Sequence, residues 1–225
     1  MPQKVANKNC VTLFLDVFRY REVAKLTRGL RNVKVWNTTS LNYLVHGPFG
    51  KERIKEIREQ TIASKTDEIE ALCKTALDRL GGLDILINNA GSARPGPFLE
   101  IPDGDWVDDW TLKFFGYVRM AREVLSHMEQ AQHGVIVNVI GTGGLRPMAN
   151  YMVGGAANAG LNHFTKALAA EGAKHGVRVV GINPGPILTD RLEKFLTTMS
   201  PDGRDRDDAL RKMTPLGRVG EPEEV

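Results

Sequence analysis

Three short apolar runs, LDILINN at 83–89, VIVNVI at 135–140 and GVRVVGI at 176–182, constrain this chain more than anything else in it. LDILINN is too short for a helix and is followed by a Gly/Pro-rich loop, so it reads as a strand buried on both faces of a parallel sheet. The stretches between the runs are helical in period. TDEIEALCKTALDRL (66–80) spaces Ile69, Leu72, Cys73, Ala76, Leu77 and Leu80 along one face, with acids in its first turn and two glycines to end it. A longer helical segment runs from roughly Asp105 to Met128, and another follows GTGGLRPMAN and reaches about Ala173.

Strands and helices alternating at this spacing require right-handed crossovers, hence an α/β fold with a parallel sheet. Such sheets bind ligands outside the carboxyl ends of their strands. The segments at those ends are NNAG (88–91), IGTGG (140–144) and NPGPILT (183–189), all rich in small or turn-forming residues.

At 225 residues and 42% hydrophobic composition, the chain is sized for one domain with one sizeable core. Cys10 and Cys73 form no metal-ligand pair, and the five histidines show no paired spacing, so no metal is expected and a reduced, cytoplasmic setting is. No run approaches the roughly 20 apolar residues of a membrane helix, and the first 20 residues make a poor signal peptide, which predicts a soluble protein without a membrane partner. Charge is uneven: residues 1–66 hold 13 Lys/Arg against 5 Asp/Glu, although the whole chain carries only +3. The basic residues are dispersed among apolar ones without a binding motif, so nucleic acid is not expected as a partner.

The first 65 residues are the divergent part. VTLFLDV, VKVW and LNYLV read as strands, and REVAKLTRGL and KERIKEIREQ as helices, but no strand leads into a glycine-rich phosphate loop. The best substitute, HGPFGKER, reads as a turn with a helix start. At the other end GRVGEPEEV has the Pro and acids of a helix start, and the text breaks off there.

LDILINNAG, GVIVNVIG, Tyr151 at the head of a helix, NPGPILTD and PLGRVGEPEEV, in this order, resemble the short-chain dehydrogenase/reductase family over about residues 64–225. The resemblance implies a three-layer, doubly wound Rossmann-type sheet whose last strand lies beyond Val225. It also implies NAD or NADP as cofactor, hydride exchange between a small alcohol and a carbonyl compound, and a homodimer or homotetramer. On it, Asn89, Ala90 and Gly91 lie along the cofactor. Pro184, Gly185, Ile187 and Thr189 form the segment that meets the nicotinamide, Ile187 through its backbone and Thr189 through its hydroxyl.

The family's asparagine, serine, tyrosine and lysine tetrad falls on Lys113, Gly141, Tyr151 and Gly155, so only the tyrosine is kept. The adenine-side aspartate falls on Ile62. A phenol is a poor base near neutrality unless a cation favours its phenolate. The expectation is therefore that Tyr151 is the acid/base and that Lys113, from the neighbouring helix, replaces the missing lysine by filling the space that Gly154 and Gly155 leave. The competing reading of Lys113 is a surface pair with Asp109, four residues earlier. Thr142 is the candidate hydroxyl for the substrate oxygen, with the N–H groups of GTGG as an alternative anion site. Trp106, Trp110, Phe114 and Phe115 are read as core or helix contacts, and Asn158 as a helix-packing hydrogen bond. Two other accounts of the chain are a non-catalytic relative that binds a partner or ligand, and an incomplete gene fragment.

Overall fold

The computed structural model describes residues 10–13, 33–36, 66–80, 82–89, 91, 93–189, 192, 214–221 and 224. Among these, five parallel strands form one sheet: β1 (Cys10–Leu13), β2 (Val33–Trp36), β3 (Ile85–Asn88), β4 (Gly134–Val139) and β5 (Val177–Ile182), in the order β2-β1-β3-β4-β5. The first strand lies inside the sheet; the chain steps outward to β2, then returns across β1 and winds the other way. This is the doubly wound α/β pattern of a Rossmann-type fold, and its direction reverses between β1 and β3.

VTLFLDV and VKVW thus contribute β1 and β2, and β1 pairs in register with β3 from Cys10↔Ile85 to Leu13↔Asn88. LNYLV, the two helices expected before residue 65, HGPFGKER and Ile62 lie outside the described residues, as does most of 190–213. The described helices are α1 (Thr66–Leu80), α2 (Asp103–Leu112), α3 (Phe114–Ala131) and α4 (Met152–Gly172). α1 has the bounds its periodicity predicts. The single segment expected from Asp105 to Met128 is α2 and α3, divided at Lys113, although Lys113 N–H still donates to Asp109 O and Tyr117 N–H to Lys113 O.

One core cluster joins the sheet to α1 and α3. Leu86, Ile136, Val177 and Val179 from alternate strand positions meet Ile69, Leu72, Cys73 and Ala76 of α1 and Met120, Ala121, Val124 and Met128 of α3. The spacing on α3 is what a 3.6-residue period requires of one buried face, and each large side chain so buried contributes about 1.5–3 kcal/mol. A smaller cluster of Tyr117, Ile140 and Leu161 sits nearer the strand ends. Trp110 and Phe114 pack as expected, with ring centroids 5.5 Å apart. Phe115 does not belong to the core: it is exposed, and the Arg119 guanidinium lies over its ring at 5.5 Å.

Burial pushes the Cys73 thiol up to about 12, with the Glu123 carboxylate adding to the effect. Thiolate is the reactive form. Iodoacetamide should therefore leave Cys73 unmodified in the folded protein and alkylate it in denaturant, as read by peptide mass spectrometry.

Candidate active site

The carboxyl ends of β3, β4 and β5 bring three loops together. Asn89–Gly91 leaves β3, Gly141–Gly144 leaves β4 as a 3-10 turn over Thr142–Gly144, and Asn183–Thr189 leaves β5. Backbone hydrogen bonds fix the second and third to one another: Ile140 N–H donates to Ile182 O at 2.8 Å, and Thr142 N–H to Pro184 O at 2.9 Å. Side chains add a brace from α4, where Asn162 and Asn183 exchange hydrogen bonds of 3.2 and 2.9 Å. Beneath the loops, Asn88 donates to Asn138 and Asn138 to the Thr165 hydroxyl, each at 2.9 Å, which satisfies three buried polar groups in a row.

Lys113 is not a surface lysine. It is 6% exposed, its Nζ donates to Ile140 O at 2.7 Å, and its stem lies against Gly91. Gly91 has φ of +154°, and a Cβ there would come within 2.6–2.9 Å of Lys113 Cγ, Cδ and Cβ. Only glycine lets the lysine stem pass so close. Asp109 is also buried, and its carboxylate is engaged by Arg94, which donates through its backbone N–H at 2.7 Å and its guanidinium at 3.1 and 3.2 Å.

Tyr151 ends a 3-10 turn and caps α4 with φ −135°, ψ 37°. Its ring folds back over the next turn of its own helix. A Cβ on Gly154 would fall on the phenol, and one on Gly143 would come within 2.9 Å of Tyr151 Cε1. The carbonyl of Gly143 stands 3.1 Å from where a Cβ on Gly155 would be. The space beside Gly154 and Gly155 is therefore taken by the tyrosine and by the β4 loop. The Lys113 ammonium, expected to fill that space, is fastened to Ile140 O. The structure brings Lys113, Tyr151 and the Thr142 turn to the same strand exit by a route the sequence did not indicate.

Gly141, at the serine position, has φ of +118°, and a Cβ there would press on Asn158 Nδ2 at 3.2 Å. Thr142 is tied into the loop through its backbone: its carbonyl accepts from Leu145 and Arg146 N–H groups. Two N–H groups of the GTGG turn are already engaged, Thr142 by Pro184 O and Gly144 by Gly141 O, so the turn does not present them to an anion. Thr189 donates its hydroxyl to Ile187 O and accepts from Leu192 N–H, both at 3.3 Å. Ile187 is itself bridged to Gly220.

Sequence reasoning gave Asn158 no more than a packing role. It is 2% exposed on α4, its Nδ2 makes a long 3.4 Å bond to Gly141 O, and its Oδ1 has no hydrogen-bond partner. Asn89 is 5% exposed, and its Nδ2 likewise has none. A nicotinamide cofactor fits this edge of the sheet: a buried amide donor with an open valence and a strained glycine lie together just past the point where the sheet reverses. Ala90 lies outside the described residues. Elsewhere, Glu129, Glu171 and His175 bring ligand atoms within 4.8 Å of one another at the far end of α3 and α4; this surface group includes a 3.5 Å His175–Glu129 pair. Among the described residues, no helix is long and apolar enough to cross a membrane.

Comparison with known proteins places this geometry in a family. The short chain dehydrogenase family model matches residues 51–200. Carbonyl reductase family member 4 of Xenopus laevis is 35% identical over 162 residues, 72% of this chain and 64% of that protein. The 3-oxoacyl-(acyl-carrier-protein) reductase FabG of Vibrio cholerae is 36% identical over 162 residues, 71% of this chain and 62% of that protein. The matched part thus spans a little under two thirds of these relatives' length. In fold, levodione reductase superposes with a TM-score of 0.79 at 21% identity, over 96% of this chain and 87% of that one.

Proposed function

We propose that this chain, which belongs to the short-chain dehydrogenase family, is an NAD(P)-dependent oxidoreductase that interconverts a small alcohol and its carbonyl compound. The observation behind this reading is that a tyrosine ring and a buried lysine both meet the segment that leaves β4. The Tyr151 ring rests on Gly143, and Lys113 is fastened to Ile140 O. Carbonyl reduction needs a proton at the oxygen that gains charge, and a phenol next to a fixed cation is suited to give one and to take it back.

In this reading Tyr151 is the acid/base, and Lys113 supplies the positive charge that a lysine at position 155 would have supplied. Thr142 orients the substrate oxygen. Asn89, Ala90 and Gly91 hold the cofactor on one side, with Pro184, Gly185, Ile187 and Thr189 on the other. Bound there, the nicotinamide cofactor supplies or takes up the hydride. The chain's own contribution is to fasten the lysine to a backbone carbonyl and to seat the phenol over Gly154. The family also suggests a homodimer or homotetramer.

Titration with NADH and with NADPH, followed by nicotinamide fluorescence, tests the first half of this reading. Saturable binding at about micromolar levels, and carbonyl-dependent oxidation of the bound form, are the expected results. A folded protein that binds neither nucleotide would overturn it.

A further inference from the structure

Asn158 is buried at the strand exit with its side-chain chemistry unaccounted for. It is 2% exposed, in a helix segment otherwise made of glycine and alanine. Its amide donor makes only a long bond, 3.4 Å to Gly141 O, while its carbonyl oxygen is buried without a partner. Leaving a buried acceptor unpaired costs roughly 1–3 kcal/mol. A leucine or alanine there would avoid the cost, so a helix that keeps an asparagine has a use for the amide.

Three contacts say where that use lies. The amide touches Gly141, the residue immediately after the carbonyl that holds Lys113 Nζ at 2.7 Å. A Cβ on Gly143 would come within 3.5 Å of Asn158 Nδ2 and 2.9 Å of the Tyr151 ring, so both side chains border the same turn residue. A Cβ on Gly144 would meet Asn158 at 2.6–2.7 Å, so the turn rests directly on this residue. Asn158 also stands four residues after Gly154, on whose Cβ site the Tyr151 phenol lies. Positions 154 and 158 share a helix face. Tyr151 therefore occupies one position on that face from a turn earlier, and Asn158 holds the next.

We propose that Asn158 is a positioning residue coupled to Lys113 through the Ile140–Gly141 strand exit, to which both side chains donate, and so holds the turn on which Tyr151 rests. This deepens the oxidoreductase reading and rests on it for turnover. The pair itself is a property of the protein without ligand. Lys113 places the positive end on Ile140 O from the junction of α2 and α3, and Asn158 places a dipole on Gly141 O from α4. The two carbonyls belong to consecutive residues, so the two side chains act on one short backbone segment.

The test is a double-mutant cycle between near-isosteric changes, Asn158→Asp and Lys113→Met, read as melting temperature at mildly alkaline pH. A buried aspartate is tolerated only beside a cation. With Lys113 present, Asn158→Asp should lower the melting temperature by about 5 °C or less; in the Lys113→Met background, the same change should cost at least about twice as much. Equal falls in the two backgrounds would overturn the pair.

Asn158→Ala gives the second reading. It should lower kcat about tenfold or more while the NADPH dissociation constant stays within about threefold, as a displaced acid/base requires; an unchanged kcat would overturn the positioning role. If the cycle is coupled but the unmutated protein turns over no carbonyl compound, the oxidoreductase reading fails and the pair stands. If it is active but the cycle is additive, the pair fails and the oxidoreductase reading stands.

Discussion

Tyr151→Phe is expected to lower kcat for carbonyl reduction by about 10²–10⁴-fold, the range typical of a lost general acid. The change removes one oxygen and nothing else. The ring still fills the hollow over Gly154 and still abuts Gly143, so the fold should lose no more than about 1 kcal/mol, the net worth of one hydrogen bond. Nucleotide affinity should stay within about threefold. Gly154→Ala approaches the same point from the other side: its methyl group would stand where the phenol now lies, so the ring must leave. Both variants should therefore lose turnover, the first with its geometry kept and the second with its hydroxyl kept but displaced. A Tyr151→Phe protein as active as the parent would remove the phenol from the chemistry and favour a ligand-binding relative.

How much of this was legible in the sequence depends on which physical signal carried it. Periodicity carried the long elements. The apolar face of TDEIEALCKTALDRL set the bounds of α1, and the apolar runs marked β3, β4 and β5. It carried the weak N-terminal strands less well, because VKVW is four residues long and a run of that length is ambiguous on its own. Their place in the sheet depends on pairing of β1 with β3 and of β2 with β1, which no local pattern encodes.

The site loops were legible because an open parallel sheet puts ligands at its strand ends, and NNAG, IGTGG and NPGPILT stood there. What was hidden was side-chain direction. Counting residues put Gly155 in the place of a lysine and left a gap for Lys113 to fill. The tyrosine's reach back over Gly154 depends on φ and ψ at residue 151, which are set by the 3-10 turn before it. Asn158 was hidden for a related reason: a polar residue among alanines looks like packing until its carbonyl oxygen is found without a partner. Phe115 is the opposite case, since helical spacing alone could not say that its side chain lies outside the core.

Gly144→Ala should be the most damaging single methyl in the site, and Gly185→Ala the least. At 144 the new carbon would stand 2.6 Å from Ala159 N and from Asn158 C. Those are backbone atoms of α4, which cannot rotate aside, so the turn must lift from the helix. Overpacking of that kind costs about 1–3 kcal/mol, or roughly 2–10 °C in melting temperature for a chain of this size. Because the same turn carries Gly143, the lift withdraws the surface on which Tyr151 rests, and turnover should fall together with stability. At 185 nothing lies within 4 Å of the added carbon, so the chain without ligand should melt within about 2 °C of the parent, or slightly higher because alanine restricts the unfolded state. That open space is also where the PGP segment is expected to meet the cofactor. A Gly185→Ala protein with normal melting but NADPH affinity weakened by about tenfold would mark the space as ligand volume. Unchanged affinity would move the cofactor away from this loop and leave Asn89 and Gly91 to hold it.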